Sequence, residues 1–186
     1  MRPATVVIGL LMAVAVIATA WYIGAQQGWD QLGRGGDNAK LLPKVGGPAP
    51  DLVALDAAGE VIALSQFRGQ PVWLDFWGSW CPPCRSEMPE MQAVYEQLAP
   101  RGLVLLAISL DEPLEDAVRY AERNGATYLV AADPYRKGSA AYAIANFPTH
   151  ILIDRDGIIR KIILAPIDKA EIVSEAQEFL APTNNG

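Results

Sequence analysis

The sequence is poor in cysteine, histidine and charge. It has two cysteines and one histidine in 186 residues. Two cysteines cannot staple a disulfide-rich scaffold, and with one histidine they cannot complete a four-ligand Cys/His zinc site. Charged residues make up only 19%, and the net charge is −6. With no basic surplus to displace counterions from a phosphate backbone, a nucleic-acid partner is excluded. There is no internal repeat. The excess is apolar: 51% of the chain, too much for a disordered protein. Chemistry must therefore come from few side chains, and the apolar surplus must sit somewhere particular.

It sits first at the N-terminus. Residues 4–25 carry no charge and include Val6, Val7, Ile8, Leu10, Leu11, Val14, Val16 and Ile17. As a helix this run would be about 33 Å long, enough for a hydrocarbon core of about 30 Å. Arg2 precedes it, and Trp21 and Tyr22 fall where an interfacial aromatic belt would lie. Residues 1–25 are expected to be a transmembrane signal-anchor. The competing reading is a cleaved signal peptide, with Ala18-Thr19-Ala20 as its small-x-small site. Either sends the rest of the chain out of the cytoplasm, and no nearby cysteine offers a lipoprotein anchor. The first 25 residues hold 19 of the 95 apolar residues. Without them the apolar share is about 47%, ordinary for a globular domain. Residues 26–44, with Gly28, Gly33, Gly35, Gly36, Asp37 and Asn38, read as a flexible linker. Residues 45–182 read as one folded domain.

Within that domain, residues 52–55 and 61–64 flank Asp56-Ala57-Ala58-Gly59 and predict a hairpin. Residues 71–77 predict a buried strand, interrupted only by Asp75. Residues 81–98 predict a helix, with Met88, Met91, Val94, Tyr95 and Leu98 at helical spacing. Residues 103–110 form a continuous apolar strand of the kind found in parallel sheets. A helix over 113–124 opens with Glu115 and Asp116 and stops at Gly125. A short strand at 128–131 and a short helix at 139–144 follow. Residues 149–154 and 158–164 flank Arg155-Asp156-Gly157 as a second hairpin. An amphipathic helix from 168 or 169 to 180 closes the chain. The class is α/β, a mixed sheet covered on both faces.

One constellation carries chemistry: Trp80-Cys81-Pro82-Pro83-Cys84, placed after a strand and opening a helix. A thiolate there meets unpaired amide N–H groups and the positive end of the helix dipole, which lowers its pKa. Two intervening residues bring the sulfurs into bonding range, and prolines cost little at a helix start. This predicts a redox pair, Cys81 as the exposed attacking sulfur and Cys84 as the buried resolving one. Half a zinc site, a structural disulfide, and a copper(I) site using both thiolates with Met88 or His150 are the alternatives.

The stretch resembles the thioredoxin superfamily, in the membrane-tethered TlpA/ResA/CcmG branch with an AhpC/TSA–redoxin-like domain. The resemblance is carried by Val45-Gly46-Gly47-Pro48-Ala49-Pro50-Asp51-Leu52, Phe67-Arg68-Gly69-Gln70-Pro71-Val72, Phe76-Trp77-Gly78-Ser79-Trp80 with the two cysteines, Glu87-Met88-Pro89, and Phe147-Pro148-Thr149. It implies a thioredoxin fold with an N-terminal β-hairpin and an extra strand–helix insertion, preceded by a single transmembrane helix. It implies that Pro148 is the cis-proline beside the cysteines. Trp80, Pro82, Pro83, Phe147 and Thr149 then form the surface that meets the substrate. Asp75 resembles the buried acid that takes a proton from the inner thiol, and burial without a cation partner should raise its pKa. Glu87 resembles a second acid of the tethered branch, able to titrate with Asp75, with a solvated helix acid as the bland alternative. Pro89 resembles a helix-kinking proline. Two departures stand out. Asn146 replaces a common glycine, relying on its tolerance of left-handed angles, and His150 follows the cis-proline loop either as a core histidine or in pH-dependent contact with the dithiol.

The function so implied is an extracytoplasmic protein-disulfide oxidoreductase with no cofactor, acting on exported disulfide-containing proteins such as apocytochrome c or copper-site assembly proteins. A membrane electron donor would re-reduce it. The alternatives are a disulfide donor, since thioredoxin-fold potentials span about −270 to −120 mV, and a copper(I) chaperone. A peroxidase fits poorly, because it needs Thr and Pro before its cysteine and here Gly78-Ser79-Trp80 stand there.

Overall fold

The computed structural model describes residues 42–167 together with Met12, Val14, Thr19, Ala170, Val173 and Leu180. The chain divides into two units, Met1–Leu41 and Leu42–Gly186. In the first, Met12, Val14 and Thr19 are helical. The rest of the expected span over 4–25, and the linker as far as residue 41, lie outside the described residues. Among the described residues no helix is long and apolar enough to cross a membrane. The closing helix expected to residue 180 also lies mostly outside them; Ala170 and Val173 are helical.

The second unit is a seven-stranded mixed sheet in the order β2-β1-β5-β4-β3-β6-β7. The predicted first hairpin forms β1 (Val53–Asp56) and β2 (Val61–Ala63), turning where Gly59 takes φ 80°. At the centre is β3 (Val72–Trp77), buried at every position. Its β-branched and aromatic run suits a strand covered on both faces. It pairs parallel to β4 (Val104–Leu110) and antiparallel to β6 (Thr149–Ile153). Beyond β4 lies β5 (Leu129–Asp133), and beyond β6 lies β7 (Ile159–Ile163). The β6–β7 turn is held by Asp154, whose Oδ1 accepts from the amides of Asp156 and Ile158 at 3.0 and 2.9 Å.

The two-residue alternation of β3 divides the core. Trp73 and Trp77 join one cluster, while Val72, Leu74 and Phe76 join the other. Helix α1 (Pro82–Leu98) packs on the tryptophan face through Met88, Met91, Val94 and Leu98. Pro89 lies inside it. Helix α2 (Leu114–Arg123) places Ala117 and Ala121 in the same cluster. The opposite cluster takes in Ala54 and Ile62 of the sheet's own β1–β2 edge and residues of the 3-10 turns at Leu64–Phe67 and Ala140–Tyr142. The helix expected over 139–144 is thus a single turn, closed by Ala143 in the left-handed region. Register places Asp75 opposite His150 across β3 and β6, on the face that α1 covers.

Candidate active site

Cys81 is the last extended residue before α1 (φ −88°, ψ 109°), and Cys84 lies in the first turn. Their sulfurs are joined at 2.06 Å, with the Cα atoms 5.3 Å apart. Pro82 and Pro83 fill the helix start, where a missing N–H leaves no bond unmade. The Cys84 amide donates to Cys81 Sγ at 3.3 Å, so the outer sulfur caps the helix. Both cysteines are buried, Cys81 at 2% and Cys84 at 1% exposure. The expectation of an exposed Cys81 is therefore corrected. In the oxidised pair Cys81 packs into the cluster of Trp77, Cys84 and Met88, with Phe147 against it.

The loop before the cysteines is fixed by a residue the sequence reading missed. Glu112 is buried and accepts from the Ser79 amide at 2.7 Å, and the hydroxyls of Ser79 and Ser109 donate to the same carboxylate. Trp80 stays 46% exposed while its Nε1 donates to the Leu110 carbonyl at 3.1 Å. Gly78 makes that possible: a Cβ there would sit 2.5 Å from Trp80 Nε1.

Across from this loop the Phe147–Pro148 bond is cis. Trp80 and Phe147 meet edge to face, 4.9 Å between centroids. The Thr149 hydroxyl donates to the Asn146 carbonyl at 2.8 Å. Arg136 lies 5.3 Å over the Phe147 ring, donates to the Ile144 carbonyl, and pairs with Asp111, which it holds below the usual carboxylate range. Asp111 and Arg136 both take left-handed backbone, at φ 61° and 53°. Asn146 does not, so the tolerance expected of it is not used.

The face of β3 whose cluster includes the cysteines also carries a buried polar cluster. Asp75, Glu87 and His150 are 1%, 3% and 0% exposed. His150 Nδ1 is 3.2 Å from Asp75 Oδ1, and its Nε2 is 3.3 Å from Glu87 Oε2. Glu87 Oε2 also accepts from the Ile167 amide at 3.1 Å. Burial pushes the Glu87 carboxyl above its ordinary range, with Asp75 adding to the rise and His150 and the Ile167 amide opposing it. Burial lowers the His150 pKa, but the two carboxylates outweigh it and bring it up to about 9. The expectation that Asp75 has no cation partner is overturned: its partner is His150. Glu87 is not a solvated helix acid, because α1 turns it inward onto His150 and the Ile167 amide.

Residues 45–162 match the AhpC/TSA family. The chain belongs to that family. The thiol-disulfide oxidoreductase ResA of Geobacillus thermodenitrificans is 38% identical over 133 residues, covering 72% of this chain and 76% of the relative. ResA of Halalkalibacterium halodurans is 33% identical over 143 residues, covering 77% and 81%. The crystal structure of a thiol:disulfide interchange protein of the thioredoxin family from Chlorobium tepidum superimposes with a TM-score of 0.66 at 27% identity, covering 74% of this chain and 99% of that one. A thioredoxin-like α/β fold, a Cys81–Cys84 disulfide and these relatives make this AhpC/TSA member a thiol–disulfide oxidoreductase.

Of the site residues expected in this AhpC/TSA domain, Trp80 meets Phe147, Pro82 and Pro83 open α1 beside the disulfide, Pro148 and Thr149 are buried, and Asp75 and Glu87 bracket His150. His150, a possible third ligand in the copper(I) alternative, lies between Asp75 and Glu87, one ligand atom of each within 4.8 Å of the others. Sequence reasoning missed Glu112 and the Asp111–Arg136 pair because each joins loops distant along the chain. Two acids, Asp111 and Glu112, following the apolar run of β4 were the one local hint.

Proposed function

We propose that this oxidoreductase is a membrane-tethered protein-disulfide reductase working outside the cytoplasm. Residues 1–25 serve as its anchor, 26–44 as its linker and 45–182 as its catalytic domain. The uncharged run over 4–25 supports export and tethering. The reducing direction is supported by one observation: every buried charged side chain among the described residues is acidic, His150 excepted. Strong oxidants of this fold owe their potential to a stabilised thiolate, and carboxylates behind Cys84 oppose that.

Cys81 as thiolate attacks a target disulfide, forming a mixed disulfide and releasing one target thiol. Cys84 gives its proton to Asp75 or Glu87 and attacks Cys81. The Cys81–Cys84 bond forms, and the second target sulfur leaves. Trp80, Phe147 and the cis-Pro148 backbone hold the target chain meanwhile. Targets are exported proteins carrying paired cysteines, of which apocytochrome c heme-site and copper-site cysteines are examples, and a membrane dithiol donor restores the pair. Acid quenching and alkylation of whole cells tests the direction. A reductase is held mainly as free thiols, whereas a disulfide donor is held mainly oxidised.

A further inference from the structure

His150 is the one titratable side chain of the site that the exchange steps leave without a task. It is the chain's only histidine. Its ring is bracketed, Asp75 at Nδ1 and Glu87 at Nε2. Trp73 Nε1 also points at Nδ1, from 3.3 Å. An indole N–H can only donate and an ionised carboxylate can only accept. Bare Nδ1 therefore serves Trp73 and protonated Nδ1 serves Asp75, never both at once. Asp75 Oδ1, Glu87 Oε1 and His150 Nε2 are buried with no hydrogen bond among the described residues. Buried polar atoms of this kind call for an explanation. A bound cation would draw on the same three groups, one ligand atom of each lying within 4.8 Å of the others, and would need the ring bare at the nitrogen it takes. A moving proton satisfies each atom in turn.

We propose that Asp75, His150 and Glu87 form one proton-sharing unit, in which His150 is a positioning residue that passes a proton between the two carboxylates and keeps one of them free to receive the proton of Cys84. Glu87 follows Cys84 by three residues on α1, one turn away. In resolution the Cys84 S–H bond breaks and its proton goes to a carboxylate oxygen. The Cys84 sulfur then bonds to Cys81, and the target sulfur leaves with the electron pair of the broken mixed disulfide. The dithiol loses two electrons and the target disulfide gains them. Groups facing the ring and its carboxylates come from several elements: Trp73 and Asp75 from β3, Glu87 from α1, the Ile167 amide, and the Tyr128 phenol. Burial and the two carboxylates together push that phenol up. The His150 pKa of about 9 agrees with a ring that holds its proton at neutral pH.

The inference rests on exchange at Cys81 and Cys84 and not on its direction. Its test is the pH profile of single-turnover disulfide reduction by the full-length reduced protein in detergent, for the native chain and His150→Gln. Loss of the ring removes the positive charge that opposes the rise of the Glu87 carboxyl. The acid limb is expected to move up by about one pH unit, a tenfold loss of rate at pH 6 that is regained by pH 8. A packing defect alone would slow the reaction equally at every pH, and such a uniform change, or superimposable profiles, overturns the proposal. If the variant does not fold, nitrogen-15 NMR of the native chain decides alone, since one histidine gives one unambiguous ring. Two ring protons at pH 7, with a titration that shifts between the oxidised and reduced states, support the unit. A singly protonated ring at pH 7, titrating alike in both states, overturns it. Failure of the native chain to exchange at any pH would remove the oxidoreductase reading itself, and this inference with it.

Discussion

Cys84 is the residue on which the exchange turns, because only the inner sulfur can release a captured target. Cys84→Ser is expected to leave Cys81 stalled in mixed disulfides with exported proteins, recoverable after alkylation and identified by mass spectrometry. Cys81→Ser should capture none, and the opposite pattern would reverse the order of attack. His150 carries a second expectation, on stability. Its pKa rises from 6.5 to about 9 on folding. The stabilisation is therefore complete below pH 6.5 and is lost as the pH climbs through 9. The Glu87 carboxyl, also raised, acts in the same sense over its own range. Thermal melting of the native chain should fall by about 5 °C between pH 6.5 and 9, and by less in His150→Gln. A midpoint flat across that window would contradict the charged ring.

At the scale of elements, β3 separates stability from chemistry by its two faces. Leu106, on the adjacent β4, belongs to the cluster opposite the redox site and is fully buried. Leu106→Ala should cost about 2–5 kcal/mol in chemical denaturation while leaving the pH profile of exchange unchanged. Gly138 tests the loop after β5. A Cβ there would fall 1.7 Å from the Val53 carbonyl oxygen, which is backbone and cannot step aside. Gly138→Ala is expected to destabilise by about 1–3 kcal/mol, measured the same way. The hairpins, the buried strand and the proline-capped cysteine pair were legible in the sequence because each is written within a few neighbouring residues. The mixed α/β class followed from their order, and the thioredoxin fold from the resemblance. The Asp75–His150–Glu87 cluster was not legible, since it needs β6 to pair beside β3 in one register and α1 to turn Glu87 inward. Burial of Cys81 was missed for the same reason: it depends on a cluster assembled from β3, α1 and residues distant along the chain.

For the whole molecule, tether and direction decide what the chemistry is for. The full-length chain is expected to stay with membranes through an alkaline carbonate wash, and its domain to be cut by protease added from the extracytoplasmic side. Release by the wash would remove the anchor from the account. Place alone does not fix direction, because a tethered dithiol can donate electrons or withdraw them. The measurement that tests the central claim most directly is the Cys81–Cys84 reduction potential, from equilibration of the domain with glutathione at pH 7. A value at or below about −200 mV is the result expected of a reductase with acids buried behind its inner thiol. A value at or above about −150 mV would place the protein among disulfide donors and contradict the reductase account.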